Sequence, residues 1–314
     1  MINRLASRRA DRNGGQYVSG LLLLVAVVAL AASFSSFRTP QNLANLIVQA
    51  TPLLVVALGQ TLPILTGGLD LSVGVVMSLS TCILATTGSP APALAIALTV
   101  ASAALVGVVN GIGVTRFRVH PIIMTLSTGT ILQGIVLLVQ PSPGGSIWAP
   151  ISAAVGNSVM GVPVAVLWVA LAAWIAWSLL HRSRFGLHLY SVGGGADNAA
   201  LAGVGVARTT IAAYVLCALF AAVAGIFLAG RISSGDPWVG ASYGLDSVAA
   251  VALGGTQLSG GVGGPLGTIF GALLLGIVGN GMNIVQINPF LLSVVNGTLL
   301  LFAVCLRRRK EIGI

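Results

Sequence analysis

The chain alternates between long apolar runs and short polar stretches. Ten runs, at about 17–34, 45–66, 71–87, 91–114, 121–140, 162–180, 209–230, 245–258, 262–284 and 289–306, approach the ~20 residues an α-helix needs to cross a hydrocarbon layer. The expected fold class is all-α: a polytopic membrane protein with about ten transmembrane helices. The run at 245–258 is the weakest, because it is short and contains Asp246, Gly254, Gly255 and Gln257. It reads as a broken or re-entrant helix, which survives at membrane depth only where protein or a water-filled cavity satisfies its backbone. Glycine-interrupted segments of this kind are pointers to a transport pathway.

The most pronounced polar break is Gly67-Gly68-Leu69-Asp70-Leu71-Ser72-Val73-Gly74. A carboxylate beside a membrane costs several kcal/mol unless something partners it. Asp70 lies just before a new run, where it can accept from unpaired backbone N–H groups and meet the positive end of the helix dipole. Gly67 and Gly68 allow the backbone angles of the preceding stop. The expectation is that Asp70 caps a helix beginning near Leu71, a role compatible with gating. Gly67, Gly68, Asp70, Ser72, Gly254, Gly255 and Gln257 are the candidates for a helix break or gate.

Composition agrees with the pattern. Hydrophobic residues make up 56% of the 314 residues and charged ones 7%, against roughly 25% charged in soluble domains, and the mean hydropathy is +1.00. The net charge of +9 comes from 15 Lys+Arg against 6 Asp+Glu. The basic residues fall between apolar runs and at the ends, which reads as membrane orientation rather than nucleic-acid binding. With the N-terminus inside, Arg116, Arg118 and His120 face the cytoplasm. So do His181, Arg182, Arg184, His188 and Arg208, and the closing Arg307-Arg308-Arg309-Lys310, while the uncharged stretch 141–161 lies outside. Residues 1–16 form a basic cytoplasmic tail, 17–306 one transmembrane permease domain and 307–314 a second basic tail. The first tail and run resemble a secretory signal, but the long tail favours a retained first helix. Cys82, Cys217 and Cys305 lie within apolar runs without redox or metal spacing, as inert packing residues do.

Asn110-Gly111, His120-Pro121 and Gly129 find an echo in Asn280-Gly281, Asn288-Pro289 and Gly297. The two copies start helices from opposite sides, which suits an inverted repeat; two unrelated Asn-Gly turns before proline-started helices suit the pattern as well. Gly263, Gly267 and Gly271, like Gly107 and Gly111, recur every four residues, a spacing that lets helices approach closely. Asn110 and Asn280, with Gln133, Asn283 and Asn296, either join helices or line a pathway. In the loop 181–208, Gly193-Gly194-Gly195 reads as a flexible approach, Asp197 or Asn198 as a helix cap, and Ala199-Ala200-Leu201-Ala202-Gly203 as a short helix ended by glycine. Such a helix suits docking on a partner; an interfacial helix against anionic lipid is the alternative.

A phosphate-binding G-x-x-x-x-G-K-[ST] loop is ruled out, because Lys310 is the only lysine and Glu311 follows it. The chain is not itself the ATPase. Asp70, Asp236 and Asp246 all fall near helix ends, which argues against ion coupling through the bundle. No metal-ligand cluster or nucleophile motif is present, so neither an enzyme nor a metal site is expected.

Three stretches carry a resemblance: Thr66 through Gly74; the loop from Phe185-Gly186 through Val192-Gly193-Gly194 to Ala199-Ala200 and Gly203-Val204; and Leu245-Asp246-Ser247 through Gly254-Gly255-Thr256 to Gly260-Gly261. In this order and register the chain resembles the ribose-type permeases of bacterial ATP-binding-cassette (ABC) sugar importers, from about residue 45 to 302. It departs from the family pattern at Gly195, Gln257 and Val262. The resemblance implies a type II-like ABC importer permease fold in the bacterial inner membrane. It also implies import of a monosaccharide or related polyol. Its implied partners are ABC ATPase subunits, an extracytoplasmic sugar-binding protein and a second permease chain. ATP would then be bound by the ATPase subunits, with no cofactor in this chain. By the same analogy Gly186, Gly193, Asp197, Asn198, Ala199, Ala200 and Gly203 belong to the ATPase-coupling loop. A self-sufficient ion-coupled transporter or channel is the alternative.

Overall fold

A computed structural model describes residues 2–88 and 90–305. Each of the ten apolar runs holds a helix: α1 (Ile2–Ser33), α2 (Pro40–Leu65), α3 (Val73–Thr87), α4 (Pro92–Thr115), α5 (Pro121–Val139), α7 (Ala165–His181), α10 (Val206–Ile232), α11 (Tyr243–Leu253), α12 (Pro265–Ile284) and α13 (Pro289–Cys305). Between them lie three short α-helices, α6 (Ala149–Gly156), α8 (Arg184–Gly194) and α9 (Ala196–Leu201), and a 3-10 turn, Ser35–Arg38. Among the described residues, six helices are long and apolar enough to cross a membrane: α1 from Gly15, α2, α4, α5, α10 and α12. The pair α7 and α8 meets the same criterion only together, across a 69° bend, while α3 and α11 are shorter. Prolines at the first turn of α2, α4, α5 and α12 occupy positions whose N–H has no helical partner anyway. Thr39 adds a cap to α2, its hydroxyl accepting from the Asn42 N–H.

Helices α2 and α10 form the centre. Of the most apolar stretch of α2, 78% of residues are buried, against 22% in α5, so α5 leaves most of its surface for lipid or another chain. Close approach comes from small residues. A Cβ added at Gly107 or Gly111 on α4 would press on the α10 backbone at Val215 or Ile211, and one at Gly59 on α2 would meet Phe220. The α11–α12 contact is made the same way, with Gly254 against the Gly267 carbonyl and Gly271 against that of Ala250.

The bundle has two distinct ends. At one, Leu65–Gly68, Gly193 and the turn after α11 are in contact. At the other, Gly144 and Gly235 form an isolated antiparallel bridge, and Thr81 accepts the Asp236 N–H. The loops at 141–161 and Pro237 thus share an end.

Several expectations need correction. The region 141–161 is not simply a loop: it contains α6 and half of a small hairpin, β1 (Ser158–Val159) paired with β2 (Val162–Pro163). Residues 162–164 therefore precede α7 rather than extend it. Helix α11 stops at Leu253, and 254–264 is a turn system with positive φ at Gly255, Gly260, Gly261 and Gly263. Gly263 is thus off the helical glycine row, which on α12 consists of Gly267 and Gly271. Gly193 and Gly194 are the last turn of α8, not a flexible approach. The tail at 307–314 and its basic residues lie outside the described residues.

Candidate functional site

The break 66–72 is drawn into the bundle, and Asp70 and Ser72 are fully buried. Non-helical backbone at this depth needs side chains to replace the missing helical ladder, and four helices supply them. In the amide orientation that satisfies both partners, Gln60 of α2 donates to the Asp70 carbonyl at 3.1 Å and accepts the Asp70 N–H at 3.0 Å. Tyr214 of α10 donates to the Leu69 carbonyl at 3.4 Å, and Thr125 of α5 accepts the Leu71 N–H at 3.2 Å. The Asp70 Oδ1 accepts both the Ser72 N–H (3.0 Å) and the Ser72 hydroxyl (2.6 Å). Asn110 of α4 completes the cluster, donating to Ser72 Oγ at 2.9 Å and approaching Asp70 Oδ1 at 3.4 Å.

Asp70 is therefore not the cap residue of a helix starting at Leu71. Helix α3 starts at Val73 with Ser72 as its boundary residue, and the carboxylate closes a turn onto Ser72 two residues on. The side-chain partners of Asp70 among the described residues are Ser72 and Asn110, and no arginine of this chain pairs with it there. Its Oδ2 and the Asn110 Oδ1 are buried without a partner among the described residues. Gln60, Thr125 and Tyr214 were not singled out in the sequence. Gln60 is one of three amides in the second apolar run, with Asn45 and Gln49, and the one nearest the break; Thr125 and Tyr214 are ordinary helix residues until the bundle folds.

The structure brings three of the predicted stretches together beside this cluster. A side chain at Gly68 would collide with the Tyr214 hydroxyl, and Gly67 has φ +84°. The Gly261 N–H donates to the Leu65 carbonyl at 2.9 Å. Gly193 lies between them, where a Cβ would meet the Leu65 carbonyl oxygen and the Gly261 nitrogen. Tyr190 of α8 donates to the Gly263 carbonyl at 2.9 Å, and a Cβ at Gly255 would press on α1 at Gly15. The Gln257 Oε1 is buried without a partner among the described residues. The α8 elbow is thus locked to the end of α2 and to the turn after α11. Gly186 fits under the α7 end, where a Cβ would strike the Leu180 carbonyl, and Ser183 caps α8 by accepting the Gly186 N–H at 3.2 Å.

Beyond the elbow, α9 stands out from the surface. Asp197 lies in its first turn rather than at the cap, which is Gly195. Gly203 ends the helix with φ +82°, its N–H donating to the Ala200 carbonyl at 2.9 Å. Ala199 faces inward and is buried, contrary to the expectation that it meets a partner. Asp197, Asn198, Ala200 and Leu201 are exposed, Leu201 to 88%. Asn280 is far from the Asp70 cluster; it exchanges two hydrogen bonds with Asn42 of α2, at 2.9 and 3.1 Å, and joins α12 to α2.

The family model described as the permease component of branched-chain amino acid transport systems matches residues 42–304. The chain is 38% identical over 297 residues to the ribose import permease protein of Bacillus subtilis, covering 93% of this chain and 92% of that one. It is 35% identical over 299 residues to the ribose import permease protein of Escherichia coli K12, with 93% of each covered. With the D-allose transport system permease protein of the same bacterium it shares 32% over 295 residues, 91% of this chain and 90% of the other. No solved structure matches the chain. The chain belongs to this family of transport-system permeases.

Proposed function

We propose that this family member is the membrane-embedded permease subunit of an ATP-driven importer that takes up a monosaccharide or related polyol. The observation that carries the reading is the match along nearly the whole chain to permeases named for ribose and allose import. ATP would be hydrolysed by separate ATPase subunits, and the solute delivered by a binding protein on the outer face. The exposed surface of α9 suits the ATPase contact: it is small and protruding, and its base is fixed to α2 and the 254–264 turn through Gly193 and Gly261. Movement at that surface would reach the Asp70 break through packed backbone rather than through a flexible tether. The sparsely buried α5 leaves area for a second permease chain.

The orientation follows the arginines: both termini and the loops at Arg116 and Arg184 in the cytoplasm, Gly144 and Pro237 outside, in the inner membrane of a bacterium. A cysteine placed at Gly144 should react with an impermeant thiol reagent in intact cells, and one at Arg184 only after lysis. Labelling at Arg184 in sealed cells would overturn the topology.

The function itself is tested by co-expressing the chain with its ATPase and binding protein and measuring uptake of labelled D-ribose, D-galactose and D-allose into proteoliposomes. ATP-dependent uptake of one of these sugars is expected. Uptake by the chain alone, driven by an ion gradient, would favour a self-sufficient transporter instead.

A further inference from the structure

Helix α7 has a buried face and a bare one. Ala165, Ala172, Ala176 and Leu180 pack inward at helical spacing, with α2 as the main neighbour. On the opposite side Leu167, Leu171, Trp174 and His181 are exposed, Trp174 to 61%, and their three- and four-residue spacing sets them in one stripe. From Leu167 to His181 this stripe runs about 21 Å along the helix axis, more than half of a ~30 Å hydrocarbon core. It ends where the chain bends by 69° into α8, which sets the last turn of α7 at the boundary of one leaflet.

That turn carries a stacked group of three side chains. The Arg182 guanidinium lies over the Trp177 ring, its Cζ 4.8 Å from the ring centroid. The His181 ring also stacks on this indole, with centroids 5.7 Å apart and 26° between the planes. Its Nδ1 lies 3.2 Å from the Trp177 carbonyl oxygen, which pins the ring to the helix. A guanidinium stacked by its face keeps its N–H donors at the edge, where a phosphate can accept two of them in parallel. Arg184, also exposed, begins α8 two residues on. The charge here is one-sided. Neither α7 nor α8 contains an acidic residue, and between Asp70, which is enclosed in the bundle, and Asp197 the sequence has none.

We propose that the α7–α8 elbow binds one anionic phospholipid, its phosphate on the edge of Arg182 and beside Arg184, its glycerol backbone against Trp177, and an acyl chain along Trp174, Leu171 and Leu167. An indole at headgroup level is where tryptophan concentrates in membrane proteins. A zwitterionic lipid offers the same phosphate but adds an ammonium group among cations. A second copy of this chain, related by a twofold axis along the membrane normal, would set these arginines against their own counterparts. The far end of α8 is fixed by Gly193 to Leu65 and Gly261, so a lipid at the elbow braces α8 at both ends. The inference goes beyond the importer reading and does not depend on it.

The test is native mass spectrometry of the full chain released from detergent micelles, with phosphatidylglycerol and phosphatidylcholine of identical acyl chains supplied together in equal amounts. Phosphatidylglycerol should be retained about tenfold over phosphatidylcholine, two basic side chains acting on one anionic headgroup. Arg182→Gln and Arg184→Gln change exposed positions, so both variants should stay monodisperse, and each should lower the preference about fivefold, the factor for one basic residue beside anionic lipid. Arg118→Gln, an exposed arginine between α4 and α5, should leave it unchanged. The inference is overturned by equal retention of the two lipids, by a preference that survives both elbow variants, or by an equal loss in Arg118→Gln, which would make the effect one of general charge. Release of the lipid by equimolar inorganic phosphate would reduce the site to a phosphate contact and overturn it as well. The same measurement on the chain assembled with its protein partners should keep the lipid; its loss there would give this face to a partner instead.

Discussion

Helices α3 and α11 are both short and apolar, both follow a polar stretch, and both have an aspartate near their start, yet the bundle treats the two carboxylates differently. Asp70 is enclosed: Ser72 occupies Oδ1, Asn110 closes over it, and Gln60, Tyr214 and Thr125 tie down the peptides on either side. Asp246 is held by the Asn296 amide at 3.1 Å and by the Ser242 side chain, and lines a half-open pocket. The same residue type thus does two jobs. Where the backbone itself is broken inside the bundle, side chains must replace the ladder and the carboxylate becomes scaffold. Where the helix is intact, the carboxylate instead ties the first turn of α11 to α13 through Asn296.

The largest effect expected from breaking this contrast is at Asp70. Asp70→Ala leaves the Ser72 N–H, the Ser72 hydroxyl and the Asn110 amide without their shared acceptor, and should cost about 3 kcal/mol, the upper end for an orphaned buried group. Asp70→Asn keeps one oxygen in place and should lose much less. Unfolding midpoints of the two variants in detergent check the order. If Asn folds like the parent but uptake collapses, charge at this position has a role beyond scaffold. If Ala folds and transports normally, the cluster is not what holds the break.

The next effect compares one substitution at the two ends. Gly254→Ala drives a methyl against the Gly267 carbonyl and the Thr268 nitrogen, where two backbones would have to part, at about 1–3 kcal/mol. Gly279→Ala meets only the Leu292 methyls at 3.6 Å. It removes a helical glycine and should be neutral or stabilising by up to ~1 kcal/mol. Equal midpoints for the two would mean that the ends are packed alike.

A smaller loss is expected at the Asn42–Asn280 pair. Amide pairs between membrane helices contribute about 0.6 kcal/mol on average, rarely above ~1.7, so Asn280→Leu should lower the unfolding midpoint slightly and leave uptake unchanged. A strong uptake defect with normal stability would return Asn280 to the pathway.

The periodic and compositional signals were enough to place a helix in each of the ten apolar runs, because burial in lipid leaves little freedom in what a long apolar run can do. The glycine pairs at Gly107/Gly111 and Gly267/Gly271 were legible for the same reason: spacing of four puts them on one face. What could not be read was which elements meet in space. Gln60 lies ten residues from Asp70 but Tyr214 lies 144 away, and nothing local in α10 marks Tyr214 as the donor to Leu69. Gly263 shared the spacing of the helical glycines and yet belongs to a turn, since Pro265 sets where α12 can begin. Ala199 and Ala200 are identical in sequence terms; only the fold of α9 turns one inward and the other out.

That difference between two adjacent alanines yields the prediction with the smallest effect on the isolated chain. Ala200 is exposed on α9 and touches no core, so Ala200→Trp should leave the unfolding midpoint of the purified permease within about 0.5 kcal/mol of the parent, as surface substitutions usually do. Ala199 is buried against its own chain, so Ala199→Trp should overpack it and lower the midpoint by about 1–3 kcal/mol. If α9 is the surface that an ATPase grips, the bulky indole at position 200 should abolish ATPase co-purification or sugar-stimulated hydrolysis without disturbing the permease fold, separating docking from stability in a single variant. Full hydrolysis and uptake with tryptophan at position 200 would reject α9 as the coupling surface. The exposed Leu187 and His188 of α8 would then be the next place to substitute.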